Sequence, residues 1–373
     1  MKLHKAVREF TNPTLAILQL NTNALLSPKP SIWEHLVAHF TNNIYEISFV
    51  VTTSYGDPAP FIGHNAFLRM SALEQCARYK HVYKEDSNTI LLDNGVIYEQ
   101  SNKREITQFF SEEHVSEDFE VSMRLQDAGF ICRYMTHIES NRFLEGVSLN
   151  SIDEIIRLQK YAYGVSELIF HPINQWFRSG ILSPTFKRYL LSSNISIQSK
   201  YNIIGYMGTY YAIAISPIAV VIHYFGYHYC SYWRDVILHA EYILYGCIGV
   251  FSVLTPIAII ILKFKLKLKP NIFKEIGCAI GFGLFFSGIG LHLLFALLSH
   301  ILGLSMSWSS TNKESMTLYE YLKAIRKLWF VYLVSFAQLT MIGVGWFILE
   351  LRAWPAIVPM ALSAGCHIIV PLM

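Results

Sequence analysis

The stretch His114 to Phe130, HVSEDFEVSMRLQDAGF, sets two adjacent carboxylates, Glu117 and Asp118, at the head of a short amphipathic segment. The spacing predicts a helix. Phe119 and Met123 recur at i and i+4, Val121 and Leu125 form a second such pair, and Gly129 follows as a C-cap. Ser116 suits the N-cap position, and acidic side chains in the first turn complement the helix dipole. Locally, capping alone explains the acidic pair, so any chemical use for it has to be argued from the rest of the chain.

Around this segment the pattern alternates. PTLAILQL, after Asn12, reads as a strand, with Lys2 to Phe10 as the end of a preceding helix. FIGHNAFLR, after Pro58 and Pro60, reads as a turn entering a strand or a helix, and FICRYM, from Phe130, reads as a strand. Helix and strand in alternation predict an α/β sandwich over residues 1–150. Such a sheet normally has more strands than Met1 to Asn150 supplies, so the domain is expected to be incomplete on its amino-terminal side.

Composition divides the rest. Of 373 residues 53% are hydrophobic and 15% charged, too apolar for an ordinary soluble chain of this length. Residues 1–200 hold 21 of the 27 acidic and 19 of the 30 basic side chains, so charge thins toward the carboxy terminus. Four stretches there carry the roughly 20 apolar residues that a crossing helix needs: Tyr201 to Phe225, Glu241 to Leu262, Leu328 to Leu349 and Trp354 to Met373. MKLHKAVREF lacks the apolar core of a secretory signal, so insertion is expected to begin at an internal span.

Lys and Arg near span ends are held in the cytosol. The loop KFKLKLKPNIFK carries Lys263, Lys265, Lys267, Lys269 and Lys274, whereas Gly226 to Ala240 carries Arg234 alone. The first two spans are therefore expected to form a hairpin with residues 1–150 cytosolic. The loop at 305–327, with Lys313, Lys323, Arg326 and Lys327, is expected to be cytosolic too. Both loops share that side if Ile276 to Leu304, rich in glycine and interrupted by His292 and His300, re-enters as a hairpin or lies partly along the interface. The alternative is five spans with one loop against the charge rule. Residues 151–200, beginning near IDEIIRLQKYAYGVSELIFHPINQWF, read as amphipathic interface helices with Trp176 and Tyr189 at headgroup level, or as a solvated linker. Residues 201–373 read as an all-α transmembrane domain.

Six scattered cysteines offer neither a disulfide framework nor zinc-ligand spacing. A net charge of +3, spread out, gives no nucleic-acid surface. The sequon at Asn194 precedes the first span on the cytosolic side and is expected to be unmodified.

An α/β domain with an acidic pair at a helix start, an amphipathic bridge and a membrane bundle together resemble the processive membrane glycosyltransferases of family 2, of the cellulose, chitin and hyaluronan synthase type. The fungal type 2 glycosyltransferase-like branch looks most similar. In that family an E-D pair supplies the catalytic base. SEDFEVSMRLQDAGF is similar to it through the R-L and A-G-F that follow, which implies Asp118 as the base with Glu117 beside it. GHNAFLR resembles the glycine-led loop that lines the donor sugar and acceptor end, implying that Gly63, His64 and Asn65 face the sugar; an ordinary turn is the alternative.

RLQKYAYG stands where the family has Q-x-x-R-W, but Arg157, Gln159, Lys160 and Tyr161 depart from it at each defining position. The resemblance still implies Lys160 at a phosphate and Tyr161 stacked on a sugar, with less area than Trp. MSWSSTNKE resembles a gating loop that closes over the nucleotide, implying that Thr311 and Lys313 reach it; a polar connection is the alternative.

The family holds Mg²⁺ or Mn²⁺ through a D-x-D motif, and no D-x-D occurs in this sequence. KLHKAVREFTNPTLAILQ looks like the helix and strand that come just after that motif. The resemblance thus covers the carboxy-terminal portion of a family member, as a late-starting gene model or a truncated paralogue would. It implies a multi-pass protein of the plasma membrane or the Golgi or ER. Its partners would be a nucleotide-sugar donor, most simply a UDP-sugar, a glycan acceptor, membrane lipid, and a missing amino-terminal half or a second copy. The implied reaction is inverting transfer of a hexose to a growing β-linked polysaccharide. One rival is a non-catalytic scaffold that retains the fold. Another is a transporter or channel, which the lack of mid-membrane carboxylates disfavours.

Overall fold

The computed structural model describes residues 2–84, 89–90, 103–111, 114–136, 143–232, 234–236, 253–306 and 318–373. After α1 (Lys2–Glu9), β1 (Leu15–Leu20) has all six residues buried, as a strand covered on both faces should. Strand β2 (Thr22–Leu25) continues it. A rod follows, built from α2 (Ile32–Asn43), a π-helical turn at Ile44–Ser48 and α3 (Phe49–Ser54). Its start is fixed by the Glu34 N–H donating to Ser31 Oγ at 3.1 Å. Next come β3 (Ala66–Leu68), α4 (Met70–Gln75), β4 (Arg78–Lys84), β5 (Thr89–Ile90) and β6 (Lys103–Gln108). Helix α5 (Glu117–Asp127) turns through Gly129, at φ 87°, into β7 (Ile131–Met135), and β8 (Phe143–Gly146) ends the sheet-bearing part.

β1 is the centre of its sheet. It runs antiparallel to β3, with Ile17 opposite Leu68, and parallel to β7, with Leu18 opposite Arg133. Val121 and Leu125 of α5 pack with Ile17, Cys132 and Tyr134 in one buried cluster. β2 pairs with β8 in parallel, and β4 joins β5 and β6 antiparallel. The elements expected from residues 2–10, 13–20, 116–129 and 130–135 are present, whereas the β4–β6 sheet carries no signal that the sequence reading had used.

Helices then take over: α6 (Ser151–Ile169), α7 (Trp176–Ser179), α8 (Pro184–Leu191), α9 (Ile197–Tyr229), α10 (Thr255–Lys265), α11 (Ile272–Gly288), α12 (Gly290–Ile301), α13 (Leu318–Lys327), α14 (Trp329–Phe347) and α15 (Trp354–Ile369). Among the described residues three helical stretches are long and apolar enough to cross a membrane, Ile197–Tyr229, Trp329–Phe347 and Trp354–Leu372, and the α11–α12 pair makes a fourth if taken as one span. Most of the span expected at Glu241 to Leu262 lies outside the described residues; α10 is its end. At 33 residues α9 is about 50 Å long, more than a hydrocarbon core of about 30 Å, so it also reaches the sheet-bearing part.

The expected irregularity at Ile276 to Leu304 is real, but its form is a break at Ile289 with a 45° bend, far short of the reversal a hairpin requires. The flanking glycines serve close packing: a Cβ on Gly288 would collide with Cys366 O, and one on Gly290 with Ile213 O and Pro217. Both ends of the segment meet elements next to the sheet-bearing part. Glu275 contacts His39 of α2 at 3.0 Å, and Leu304 O accepts from Tyr163 Oη of α6 at 3.2 Å.

One apolar core runs through α2, α5, α6, α8, α9, α11 and α12. Trp33 meets Phe285 edge-on at 5.1 Å and Phe40 lies 4.5 Å from Phe282, so α2 is seated on a membrane-type helix. The placement of Tyr189 at headgroup level is corrected. It is 1% exposed inside this core, because α8 packs its Phe186 and Tyr189 under α5. Trp176 donates its indole N–H to His171 O at 2.7 Å beside exposed Ile173, Phe177 and Ile181.

Candidate functional site

The site begins with a loop held by backbone demands. Gly63 sits at φ 79° and Asn65 at φ 50°, a region that glycine enters freely and Asn more readily than most residues. Gln19, fully buried in β1, pins the loop by donating from Nε2 to His64 O at 3.0 Å while its Oε1 accepts from the Ile62 N–H at 3.4 Å. Asn65 Nδ2 donates to Thr22 Oγ1 at 3.2 Å. GHN is therefore a built turn between β1 and β3, and the glycine is needed for a second reason: a Cβ there would lie 3.3 Å from Asp118 Oδ2.

Asp118 occupies the first turn of α5. Ser116 does not cap that helix through its side chain, contrary to expectation. Its Oγ is turned against Gly164 of α6, where a Cβ would overlap it, so docking on α6 has displaced the cap. Asp118 Oδ1 instead accepts from the Phe119 N–H at 2.8 Å. The two acids also part company, Glu117 facing solvent and Asp118 half-buried toward Gly63. Burial first, then the charge of Glu117, raises Asp118 above the ordinary carboxylate range, while the Phe119 N–H and His64 pull it down.

The same cleft gathers side chains that the sequence reading had not singled out. Glu145 Oε2, from β8, accepts from Tyr45 Oη at 2.9 Å and lies 2.9 Å from His64 Nε2. Burial works against its carboxylate, but His64, Tyr45 and Arg157 outweigh it and Glu145 sits below its usual value. Tyr206 of α9 stacks on Phe119, with centroids 5.5 Å apart and planes 7° from parallel, and meets Tyr210 Oη at 3.1 Å.

From α6, Arg157 donates to Glu154 Oε1 at 2.7 Å and lies 5.8 Å over the Tyr161 ring; its Nε is buried with no partner among the described residues. Tyr161 is raised, by burial first, and it feels the charges of Arg157, Glu154, Glu145 and Asp118, so one neighbourhood holds them all. Gln159 lies elsewhere, donating to His292 O at 3.2 Å, because two residues along a helix turn the side chain to the opposite face. Lys160 is exposed on the surface of α6. Thr311 and Lys313 lie outside the described residues. Of the candidates, Gly63, His64, Asn65, Asp118, Arg157 and Tyr161 thus come together, whereas Gln159 turns to His292 and Glu117 and Lys160 are exposed.

Such a cleft offers a half-buried carboxylate as a proton acceptor, a guanidinium with an open donor and an aromatic wall of Phe119, Tyr161 and Tyr206. Among the sequences compared, no curated protein matches the chain. A family model described as glycosyl transferase family group 2 matches residues 1–368. The match runs from α1 through the sheets and into α15, across both the carboxylate cleft and the apolar helices, and the chain therefore belongs to glycosyl transferase family group 2.

Proposed function

We propose that this chain carries the acceptor side and the base of a membrane glycosyltransferase that moves a hexose from a nucleotide-sugar, most simply a UDP-sugar, to a β-linked glycan. The observation that carries the reading is the convergence of Asp118 with Gly63, the His64–Glu145 pair, Arg157 and Tyr161. Asp118 takes the proton of the acceptor hydroxyl. The hydroxyl oxygen forms its bond to the anomeric carbon from the face opposite the leaving diphosphate, whose bond to that carbon breaks, so configuration inverts. Arg157, with its open Nε, suits an anionic group, and Tyr161 with Tyr206 suits the flat face of a sugar.

Residues 1–150 act as the cytosolic transferase portion, 151–200 as the interface and 201–373 as the membrane portion. In the gating role Thr311 and Lys313 close over the nucleotide. Family 2 enzymes generally use a divalent metal, but among the described residues no three His, Cys, Asp or Glu side chains converge as a metal site, so no step is assigned to one. The lack of a D-x-D in the sequence motivates the second reading, a non-catalytic scaffold that retains the fold.

The test is release of UDP from UDP-glucose or UDP-N-acetylglucosamine by membranes containing the protein, with Mg²⁺ or Mn²⁺ present. Asp118→Asn is expected to lower turnover about 10²- to 10⁴-fold. Equal turnover in that variant would remove Asp118 as the base; no turnover by the chain alone is also what a missing donor half gives, so the scaffold is favoured only if supplying a D-x-D-bearing amino-terminal half restores none.

A further inference from the structure

Both ring nitrogens of His64 meet acceptors. Nδ1 lies 3.0 Å from Ile62 O and Nε2 lies 2.9 Å from Glu145 Oε2. A neutral imidazole has a single N–H, so one of these contacts would set acceptor against acceptor, whereas an imidazolium satisfies both. Glu145 is arranged as the matching anion, because the same Oε2 also accepts from Tyr45 Oη at 2.9 Å. Three side chains from distant parts of the sequence thus meet at one oxygen.

The supports of that oxygen are themselves fixed. Tyr45 belongs to the π-helical turn, whose extra residue per turn re-aims its side chain relative to α2. β8, which carries Glu145, pairs with β2 so that Glu145 stands opposite Ala24. The Ala24 N–H donates to Asn42 Oδ1 at 2.9 Å, which ties the strand pair back to the rod that bears Tyr45.

We propose that Glu145, seated by Tyr45, is a positioning residue that fixes His64 as an imidazolium beside Asp118, giving the base a built-in counter-charge. This deepens the function proposed above and rests on it for the role of Asp118, though the state of His64 can be measured without it. The groups that face the pair are Asp118 from α5, Arg157, Glu154 and Tyr161 from α6, and Tyr45 from the rod. A carboxylate in a cleft that loses water on binding substrate tends to protonate and cease to be a base. A fixed cation opposes this, and one anchored by Glu145 and a backbone carbonyl does not swing out to bind the diphosphate instead.

The experiment uses the full chain, labelled with ¹⁵N-histidine, in phosphatidylcholine nanodiscs, with the His64 signals assigned by their loss in His64→Asn. His64 is expected to be doubly protonated at pH 7 and to titrate above the ordinary value of about 6.5. Glu145→Gln, which keeps the shape and removes the charge, is expected to lower its midpoint by about one unit, and Glu145→Asp to restore part of the shift. In the same preparations the acidic limb of UDP-sugar turnover moves to higher pH in Glu145→Gln, with kcat falling and KM little changed. A singly protonated His64 at pH 7 in the wild type overturns the proposal whether or not the variants fold, and so does a midpoint that Glu145→Gln leaves in place. Absent turnover even with a D-x-D-bearing amino-terminal half supplied, together with a doubly protonated, Glu145-dependent His64, would defeat glycosyl transfer and uphold the pairing.

Discussion

Gly63 shows how much one residue decides. Its φ of 79° is strained for any L side chain, and an added Cβ would stand 3.3 Å from the carboxylate of Asp118, the proposed base. Gly63→Ala is expected to lower stability by about 1 kcal/mol, from the backbone alone. Its effect on turnover is expected to be larger than that loss implies, at least tenfold, because Asp118 must shift to make room. Thermal unfolding and UDP release measured on the same preparation separate the two, and parallel small losses would mean that the loop does not address Asp118. Asn65 is the counterpart: it accepts φ 50° because its amide reaches Thr22.

At the scale of elements, the start of α5 is set by α6. Glu167 Oε2 accepts the Val115 N–H at 2.7 Å, one residue before Ser116, whose hydroxyl lies against Gly164. Burial raises Glu167 to about 7 from its ordinary 4.5. An acid whose folded-state pKa is raised holds its proton longer in the folded chain, so its contribution to stability falls as pH rises from about 4.5 to about 7. Glu167→Gln keeps an acceptor for Val115 and removes that penalty. After discounting for solvent screening it is expected to be about 1–2 kcal/mol more stable than the wild type at pH 8 and no more stable at pH 4.5, as urea unfolding would show. A difference independent of pH would place the carboxylate in water.

Helix α5 and strands β1 and β7 were legible because period, polarity and turn residues agree within a few positions. The failed cap at Ser116 was not, since it depends on a surface of α6 some 50 residues away. Glu145 and Tyr45 were missed for the same reason, and the signal available was faint: an acid in a short strand between Leu144 and Val147, both apolar. That Gln159 turns to His292 was not legible either, because a motif match says nothing about which face of α6 turns to the cleft.

At the scale of the molecule, the question is which side of the membrane each loop faces. Lys263 donates to Glu275 Oε1 and Glu275 Oε2 lies 3.0 Å from His39 of α2, all three largely buried. Burial, though opposed by Glu275, lowers His39 below its ordinary value, and Lys263 with Glu275 forms the ion pair of the cluster. Removing one of them strands the other: Glu275→Leu is expected to lose about 3 kcal/mol, and Lys263→Met with Glu275→Leu to recover much of it, read by thermal unfolding in detergent. Because α2 belongs to the part that carries Asp118, this contact supports the expectation from the charge rule that the lysine-rich loop at 263–274 shares the side of Asp118.

The other end of the segment meets α6, through Tyr163 to Leu304 O and through His300 to Ser166 Oγ at 2.7 Å. With both ends beside the part that bears Asp118 and a 45° bend between them, we propose that α11 and α12 run along the interface rather than across the membrane. On that reading Thr311 and Lys313 keep the gating role proposed for them. Cysteine at Ser309 is expected to react with a membrane-impermeant maleimide only when the reagent reaches the face that exposes residues 1–150. Reaction from the opposite face of sealed vesicles would mean that the segment crosses once, and would end both the interfacial course of α11–α12 and the gating role of the loop.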